Sequence, residues 1–417
     1  MRTLRGVGAL VVIGGLLAAG CGGGASASNG PVEINWYTAP QPGGSFAEAA
    51  KACSAASNGK YTITVQPLPS DATAQREQLV RRLAAHDSTI DLISMDVIWT
   101  AEFGEAGWVD PWPKSRADQI GQGVIPAVLK TGQYKNRMYA APLDTASQLL
   151  WYRKDLVKTP PKTWAEMIQM ADQLPKNKNW IEVQAARYEG YTVWFNTLLE
   201  SAGGSILTKT GKVALPTGPT EAALKVIKDV ATSKAADPSM SNNQEDQGRL
   251  AFEAGNAAFM VNYPYVYASL KADKPKLFPN LGIALYPRVD ANKPAKVTLG
   301  GFNIGVGAYG KHKSVAFDAG TCLGQPEQQV LYAVKDGLPP VSQALYKDPR
   351  IVKAYPYADL LLQTFSDGST RPVSPAYNDI SLAVQRTIHP PSSINPTSDV
   401  GALRSKVDDA IHSRGLL

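Results

Sequence analysis

Apolar and polar positions switch between two periods along the first hundred residues. Val32-Glu33-Ile34-Asn35-Trp36-Tyr37 alternates like a strand, and Tyr61-Thr62-Ile63-Thr64-Val65 does the same with β-branched residues. Between them, Phe46 to Ala56 carries small and apolar residues at helical spacing, so a βαβ unit is predicted. Ala74 to Ala85 reads as an amphipathic helix and Asp91-Leu92-Ile93-Ser94-Met95 as a short buried strand of the kind found in a doubly wound sheet. Further helices are predicted over Trp164 to Leu174, Thr220 to Ser233 and Gln247 to Glu253, separated by Pro and Gly. No fixed-period repeat or heptad array interrupts this α/β pattern.

The N-terminus follows a different logic. An apolar run from Val7 to Ala19, flanked by Arg2 and Arg5, is too short to span a bilayer and ends in small residues, which describes an export signal over residues 1–20. Leu16-Leu17-Ala18-Ala19-Gly20-Cys21 resembles a bacterial lipobox, in which the cysteine is acylated and becomes the new N-terminus. An ordinary secretory signal followed by an unmodified Cys21 is the alternative. The Gly, Ser and Ala of residues 22–30 cannot bury apolar surface and suit a flexible tether. The expected location is outside the cytoplasmic membrane, held by a lipid anchor.

Composition fits a folded, exported body. Hydrophobic residues make up 44% of the 417, with no second long apolar run, so two domains around separate cores are expected. The formal charge is +6, and subtracting Arg2 and Arg5 leaves +4, too little and too dispersed for a nucleic-acid footprint. With Cys21 assigned to lipid, Cys53 and Cys322 remain. In an oxidising compartment a lone pair of this kind favours one disulfide over two free thiols. Such a bridge would place an early and a late segment in one domain, with the other domain inserted between them.

Several segments together resemble the extracytoplasmic sugar-binding proteins of the maltose-binding family, the receptors of ABC importers. They are Tyr139-Ala140-Ala141-Pro142, Gln148 to Leu156, Phe252-Glu253-Ala254-Gly255-Asn256-Ala257-Ala258, Gly300-Gly301-Phe302-Asn303-Ile304 and Lys347-Asp348-Pro349-Arg350, in the family's order. Asp96 to Phe103, Val193 to Leu199 and Gly337-Leu338-Pro339 are most similar to its actinobacterial trehalose-recycling branch. The resemblance implies a periplasmic-binding-protein-like fold of class II type: two hinge-connected α/β lobes with the ligand cleft between them. Lobe one is expected over 31–141 plus 297–336 and lobe two over 142–296 plus 337–417, with hinges near Pro142 and Gly300-Gly301. The family's disulfide also matches Cys53 and Cys322. The implied partners are a disaccharide and the permease subunits with their ATPase; a monomer without cofactor is expected.

A sugar hydroxyl both donates and accepts, so a cleft for it needs carboxylates, amides or an Arg, and aromatic faces for the ring's CH surface. Asp96, directly after a buried strand, sits where lobe-one ligand groups belong, although an Asp there also caps helices. Glu253 and Arg371 match ligand-contacting residues of the trehalose branch, and Tyr263 and Tyr265 offer ring faces. Gly337 and Leu338 could bring backbone amides to the ligand. Gln41 follows the first strand, Asp144 lies near the first hinge, and Glu189 and Tyr191 occupy the place of a carboxylate and an aromatic in maltose-binding relatives.

Two positions depart from the trehalose branch: Ala146 stands where it has Asn, and Tyr263 where it has Trp. The lost amide should weaken trehalose unless Asp144, Thr145 or Ser147 compensates. A maltose-type oligosaccharide, another glycoside or a glycerophosphodiester are therefore alternative ligands. Paired carboxylates such as Asp96 and Glu253 would also suit a glycosidase, but nothing in the sequence sets their separation, and a receptor is expected instead. His86, His312, His389 and His412 are scattered without metal-ligand spacing.

Overall fold

The strand Val32–Thr38 runs parallel to Tyr61–Pro67, in register from Val32 opposite Tyr61 to Thr38 opposite Pro67. The helix Ser45–Ala56 joins them and packs Phe46, Ala49, Ala50 and Cys53 inward, because those positions recur on one helical face. In this computed structural model the described residues are 30–70 and 72–414; the signal segment, Cys21 and tether residues 22–29 lie outside them.

Leu92–Asp96 lies parallel on the other side of Val32–Thr38. The next strand departs from a wholly parallel sheet. Phe302–Gly307 inserts antiparallel between Leu92–Asp96 and Val109–Asp110, and also pairs with Ala140–Pro142. It arrives from a second sheet rather than through a helical crossover, which releases it from the parallel rule for βαβ units. The two faces of this first sheet carry separate apolar clusters, one around Trp36, Ile34 and Phe46, the other around Leu79, Leu83 and Phe103. Cys53 is bonded to Cys322 of the helix Lys313–Leu323, with Cα atoms 5.8 Å apart, so early and late chain share this sheet's cover.

The second sheet has the order Leu281–Ala284, Leu149–Arg153, Ala257–Asn262, Trp180–Glu182. Every residue of Ala257–Asn262 is buried, as its unbroken apolar run predicts for a strand covered on both faces. One face packs Trp164, Trp194, Phe195 and Leu198; the other packs Trp151, Leu361 and Phe365. The helix Glu189–Ala202 is buried on nearly all sides.

Between the sheets the chain crosses at residues 143–148 and 285–301, and the helix Pro326–Asp336 leads into the helices that follow it. The first two crossings pair with each other, Ala146 and Gly300 exchanging backbone hydrogen bonds of 3.0 and 2.7 Å. Gly301 has φ of +114°, and a Cβ there would stand 2.5 Å from the Asp144 carbonyl oxygen, so only glycine fits this close approach.

Candidate functional site

The carboxyl end of Leu92–Asp96 brings Asp96 to the edge of the first sheet, where its carboxylate accepts from the Ile98 amide at 3.1 Å and caps the turn Val97–Trp99. The capping role and a place at the cleft are thus compatible. Arg371, 8% exposed, reaches toward Asp96 from the loop after the helix Ala358–Asp367, its Nη2 lying 3.5 Å from the carboxylate. Its Nη1 pairs with Glu189 at 2.9 Å. Residues from the first sheet, from the head of the helix Glu189–Ala202 and from a late loop thus converge on one guanidinium.

Glu189 sits in the first turn of its helix, where the amide dipoles favour a negative charge. Its two carboxylate oxygens also accept from Tyr377 Oη and Ser381 Oγ, four residues apart on one face of the helix Tyr377–Ile388. Tyr377 and Ser381 were not among the expected site residues. Their sequence signal is only the i, i+4 spacing of two hydroxyls, which many surface helices share.

Tyr263 is half-buried and its phenol is pushed above its ordinary pKa, first by burial and then by Glu245, with Asp96 and Glu189 adding to and Arg371 opposing the rise. The phenol therefore lies within electrostatic reach of the same charges. Glu245 opens the helix Glu245–Glu253 and is held up in pKa by burial, with the Tyr188 hydroxyl opposing. Neither Glu245 nor Tyr188 was expected from the sequence.

Glu253 stands at the opposite end of that helix. It is ion-paired to Arg249 at 2.8 Å and accepts from Ser269 Oγ at 2.9 Å, with its side chain 2% exposed. The structure does not bring it to Asp96, Glu189 and Arg371. Tyr265 is half-buried, donates its hydroxyl to Asp246 at 3.2 Å and is raised in pKa by burial and then by Asp246 and Glu245, which places it at the Glu245 end of that helix, whereas Tyr191 is in the core, donating to the Ile388 carbonyl at 2.7 Å.

Gly337 is the left-handed C-cap of Pro326–Asp336, with its own amide bonded to Ala333 O at 3.2 Å and the Leu338 amide to Tyr332 O at 3.3 Å. Both amides are engaged in ending the helix, which corrects the expectation that they meet the ligand. Asp336 in turn accepts from the Gly43 and Ser45 amides, so the Gln41 loop docks at this helix end. Gln41 itself, half-buried, turns its amide back to Ala39 O at 3.4 Å.

Asp144 is 2% exposed, accepts from the Phe302 amide at 3.2 Å, and leaves Oδ2 without a partner. Burial, reinforced by Asp96 and opposed by that amide, pushes its carboxyl up to about 8. It braces the crossing. Thr145 and Ser147 direct their hydroxyls to Gly300 O and Thr298 O across the same crossing, at 3.4 and 3.0 Å. Two of the three residues that could have replaced the missing amide at Ala146, Thr145 and Ser147, therefore have their hydroxyls engaged, while Asp144 Oδ2 has no partner.

Beside Arg371 a small hollow is lined by Ile98, Ala101, Thr131, Leu299 and Val373. Among the described residues no group of His, Cys, Asp and Glu has the arrangement of a metal site, and no helix is long and apolar enough to cross a membrane.

Comparison with known proteins gives these observations a context. A family model described as bacterial extracellular solute-binding protein matches residues 39–330. A Deinococcus radiodurans protein described as a probable ABC transporter-binding protein is 29% identical over 348 residues, covering 79% of this chain and 81% of that relative. The mannitol-binding protein of Pseudomonas aeruginosa is 24% identical over 307 residues, 69% of each chain. Among solved structures, maltose-bound MalE3 of Thermotoga maritima superposes with a TM-score of 0.80 at 26% identity, covering 90% of this chain and 99% of that one. The two-lobed sugar-binding fold follows from these likenesses.

Proposed function

Because the chain belongs to the bacterial extracellular solute-binding proteins, which serve ABC importers as binding components rather than enzymes, we propose that it captures an α-linked disaccharide, trehalose first, and delivers it to the permease. The observation that carries this reading is the meeting of Asp96, Arg371 and Glu189 between the two sheets. Carboxylates accept from sugar hydroxyls and the guanidinium donates to them, while Tyr263 supplies a ring face. We assign the second-sheet carboxylate of the ligand to Glu245, beside Tyr263, instead of Glu253.

Lobes over 31–141 plus 297–336 and 142–296 plus 337–417 would rotate about the paired crossings at Ala146 and Gly300. Sugar bound to both lobes favours the closed state and shifts the population toward it. Cys21 would carry the lipid that keeps the receptor at the outer face of the membrane. Calorimetric titration with a panel of trehalose, maltose, mannitol and glycerophosphodiesters tests the ligand choice, and no heat with millimolar trehalose removes it.

A maltose-type oligosaccharide has one observation of its own. A groove of about 1280 Å³, lined by Lys130, Tyr134, Glu200 and Lys296, joins the cleft at Thr370 and Arg371 and has room for further sugar units. Maltotriose binding more tightly than maltose would favour that reading.

A further inference from the structure

We propose that Asn243 is a positioning residue for sugar capture: gripped by the buried Glu182 and Asp237 carboxyls, it fixes the two loops that carry Glu189 and Glu245, and the grip needs one proton on that carboxyl pair. The proposal rests on the saccharide-receptor reading above and adds residues that act through the carboxylates of the cleft without touching the sugar.

Asn243 is 3% exposed and is bonded through both its backbone and its side chain. Its carbonyl oxygen accepts from the Ala185 and Ala186 amides at 3.1 and 3.0 Å, in the segment that leaves the strand Trp180–Glu182 and leads to the head of the helix Glu189–Ala202. Its own chain continues through Gln244 to Glu245, the first residue of the helix Glu245–Glu253. One residue thus ties the two helix heads together.

The Asn243 amide bridges two acids. Nδ2 donates one hydrogen to Glu182 Oε2 at 3.1 Å and the other to Asp237 Oδ2, and Ser239 Oγ, 3.1 Å from Oδ1, fits the same orientation of the amide. Glu182 is 1% and Asp237 4% exposed, the two carboxyls are within hydrogen-bonding reach of each other, and among the described residues no cation acts on Glu182. Two negative charges cannot both be kept in such a place. Asp237 receives the Ser239 amide at 2.8 Å, the Ser239 hydroxyl and Asn243, whereas Glu182 Oε1 has no donor facing it, so the proton belongs on Glu182, which can donate it to Asp237. Burial, and then Asp237, push the Glu182 carboxyl up to about 9. The other elements packed here add no charge. Gly248 is the residue of Glu245–Glu253 that meets Glu182, while Glu245 is engaged by Tyr188 and Arg249 by Asp246 and Glu253. Ala257–Asn262 has no charged residue, Lys234 is exposed, and Glu166 and Asp172 of the helix Trp164–Asp172 do not act on Glu182. Losing the proton leaves two carboxylates on one amide, and their repulsion is relieved by releasing Asn243 and with it both loops.

The test is calorimetric titration of the purified protein with trehalose and maltose from about pH 7 to about pH 10, together with hydrogen exchange of the sugar-free protein at neutral pH. Affinity should fall about tenfold between about pH 8 and about pH 10, as one required proton leaving near 9 dictates, and Glu182→Gln should remove that fall whatever its affinity at neutral pH. Asn243→Ala should bind about tenfold more weakly and exchange faster over 183–191 and 243–249, with the strand Ala257–Asn262 unchanged. A folded Asn243→Ala with the parent's exchange, or Glu182→Gln with the parent's pH profile, overturns the proposal. Faster exchange with unchanged sugar affinity overturns it as well, because the residue then holds the fold alone. If neither sugar binds the parent while exchange responds as expected, the disaccharide choice falls and the tie between the two loops stands.

Discussion

Arg371 Nη2 lies 3.5 Å from the Asp96 carboxylate, which ties the end of the first sheet to the loop that follows the second sheet's helices. The same guanidinium holds Glu189 at 2.9 Å. Removing it in Arg371→Ala leaves two carboxylates without the cation they share. They keep 22% and 33% of their side-chain exposure, so water screens part of the repulsion. We expect a stability loss of about 1 to 3 kcal/mol, below that of a fully buried pair, and a sugar affinity reduced by about a hundredfold. Arg371→Lys should recover little affinity, because an ammonium cannot face both carboxylates in the planar geometry of a guanidinium. Denaturant unfolding and calorimetry measure the two effects separately.

The two ends of one helix give opposite expectations. Glu245→Gln touches the Tyr263 side of the cleft and should weaken sugar binding with little change in unfolding. Glu253→Gln breaks a pair whose carboxylate is 2% exposed, and should cost about 3 kcal/mol of stability by leaving Arg249 only its exposed partner Asp246 and the Ser269 hydroxyl. If Glu253→Gln abolishes binding while the fold stays intact, the assignment of the two carboxylates is reversed.

Asp144 makes stability depend on pH in a definite sense. Its carboxyl titrates near 3.8 when solvated and at about 8 in the fold. Between those values the native state keeps a proton that the unfolded chain has released, so this residue's contribution falls as pH rises from about 4 to about 8 and is constant beyond. Glu182, raised by burial to about 9, acts in the same direction. Asp144→Asn should flatten the unfolding free energy across this range and stabilise the protein at pH 8. A variant whose slope equals that of the parent would show that Asp144 does not hold the proton.

The bridge between Cys53 and Cys322 closes a loop with a sequence separation of 269. The chain-entropy model gives such a crosslink about 5 kcal/mol as an upper figure. The double variant Cys53→Ser, Cys322→Ser should therefore unfold at lower denaturant while keeping its sugar affinity within a fewfold, since neither residue approaches the cleft.

Elements written in strong periods were legible from the chain. Val32 to Tyr37 and Phe46 to Ala56 fold as their alternation and spacing indicate, since each pattern decides which face is buried. The antiparallel entry of Phe302–Gly307 was not, because strand direction depends on where the chain has come from rather than on side-chain alternation. Asp96, Arg371 and Glu189 could be named from residue type and family resemblance. That Glu245 rather than Glu253 lies within electrostatic reach of Tyr263 required the helix orientation, since both are acidic residues of one short helix. Gly337 could be read as a special backbone position, but not as one whose amides are already engaged.

Ala146 offers the sharpest test of ligand choice. Its backbone is fixed by two hydrogen bonds to Gly300, yet its side chain is only half-buried, 3.9 Å from the nearest point a Cβ on Gly300 would occupy. An amide placed there by Ala146→Asn would stand near Arg371, whose Nη2 is also 3.9 Å from that point. Thr145 and Ser147 cannot substitute for it while their hydroxyls bind the opposite crossing. If trehalose is the ligand, the new amide should satisfy a sugar hydroxyl and tighten binding by about 1 to 3 kcal/mol, with maltose changing less. Calorimetry on the variant with both sugars measures this difference. Equal gains for the two would mean that position 146 adds a general contact, and an unchanged trehalose affinity would place the sugar away from the first crossing altogether.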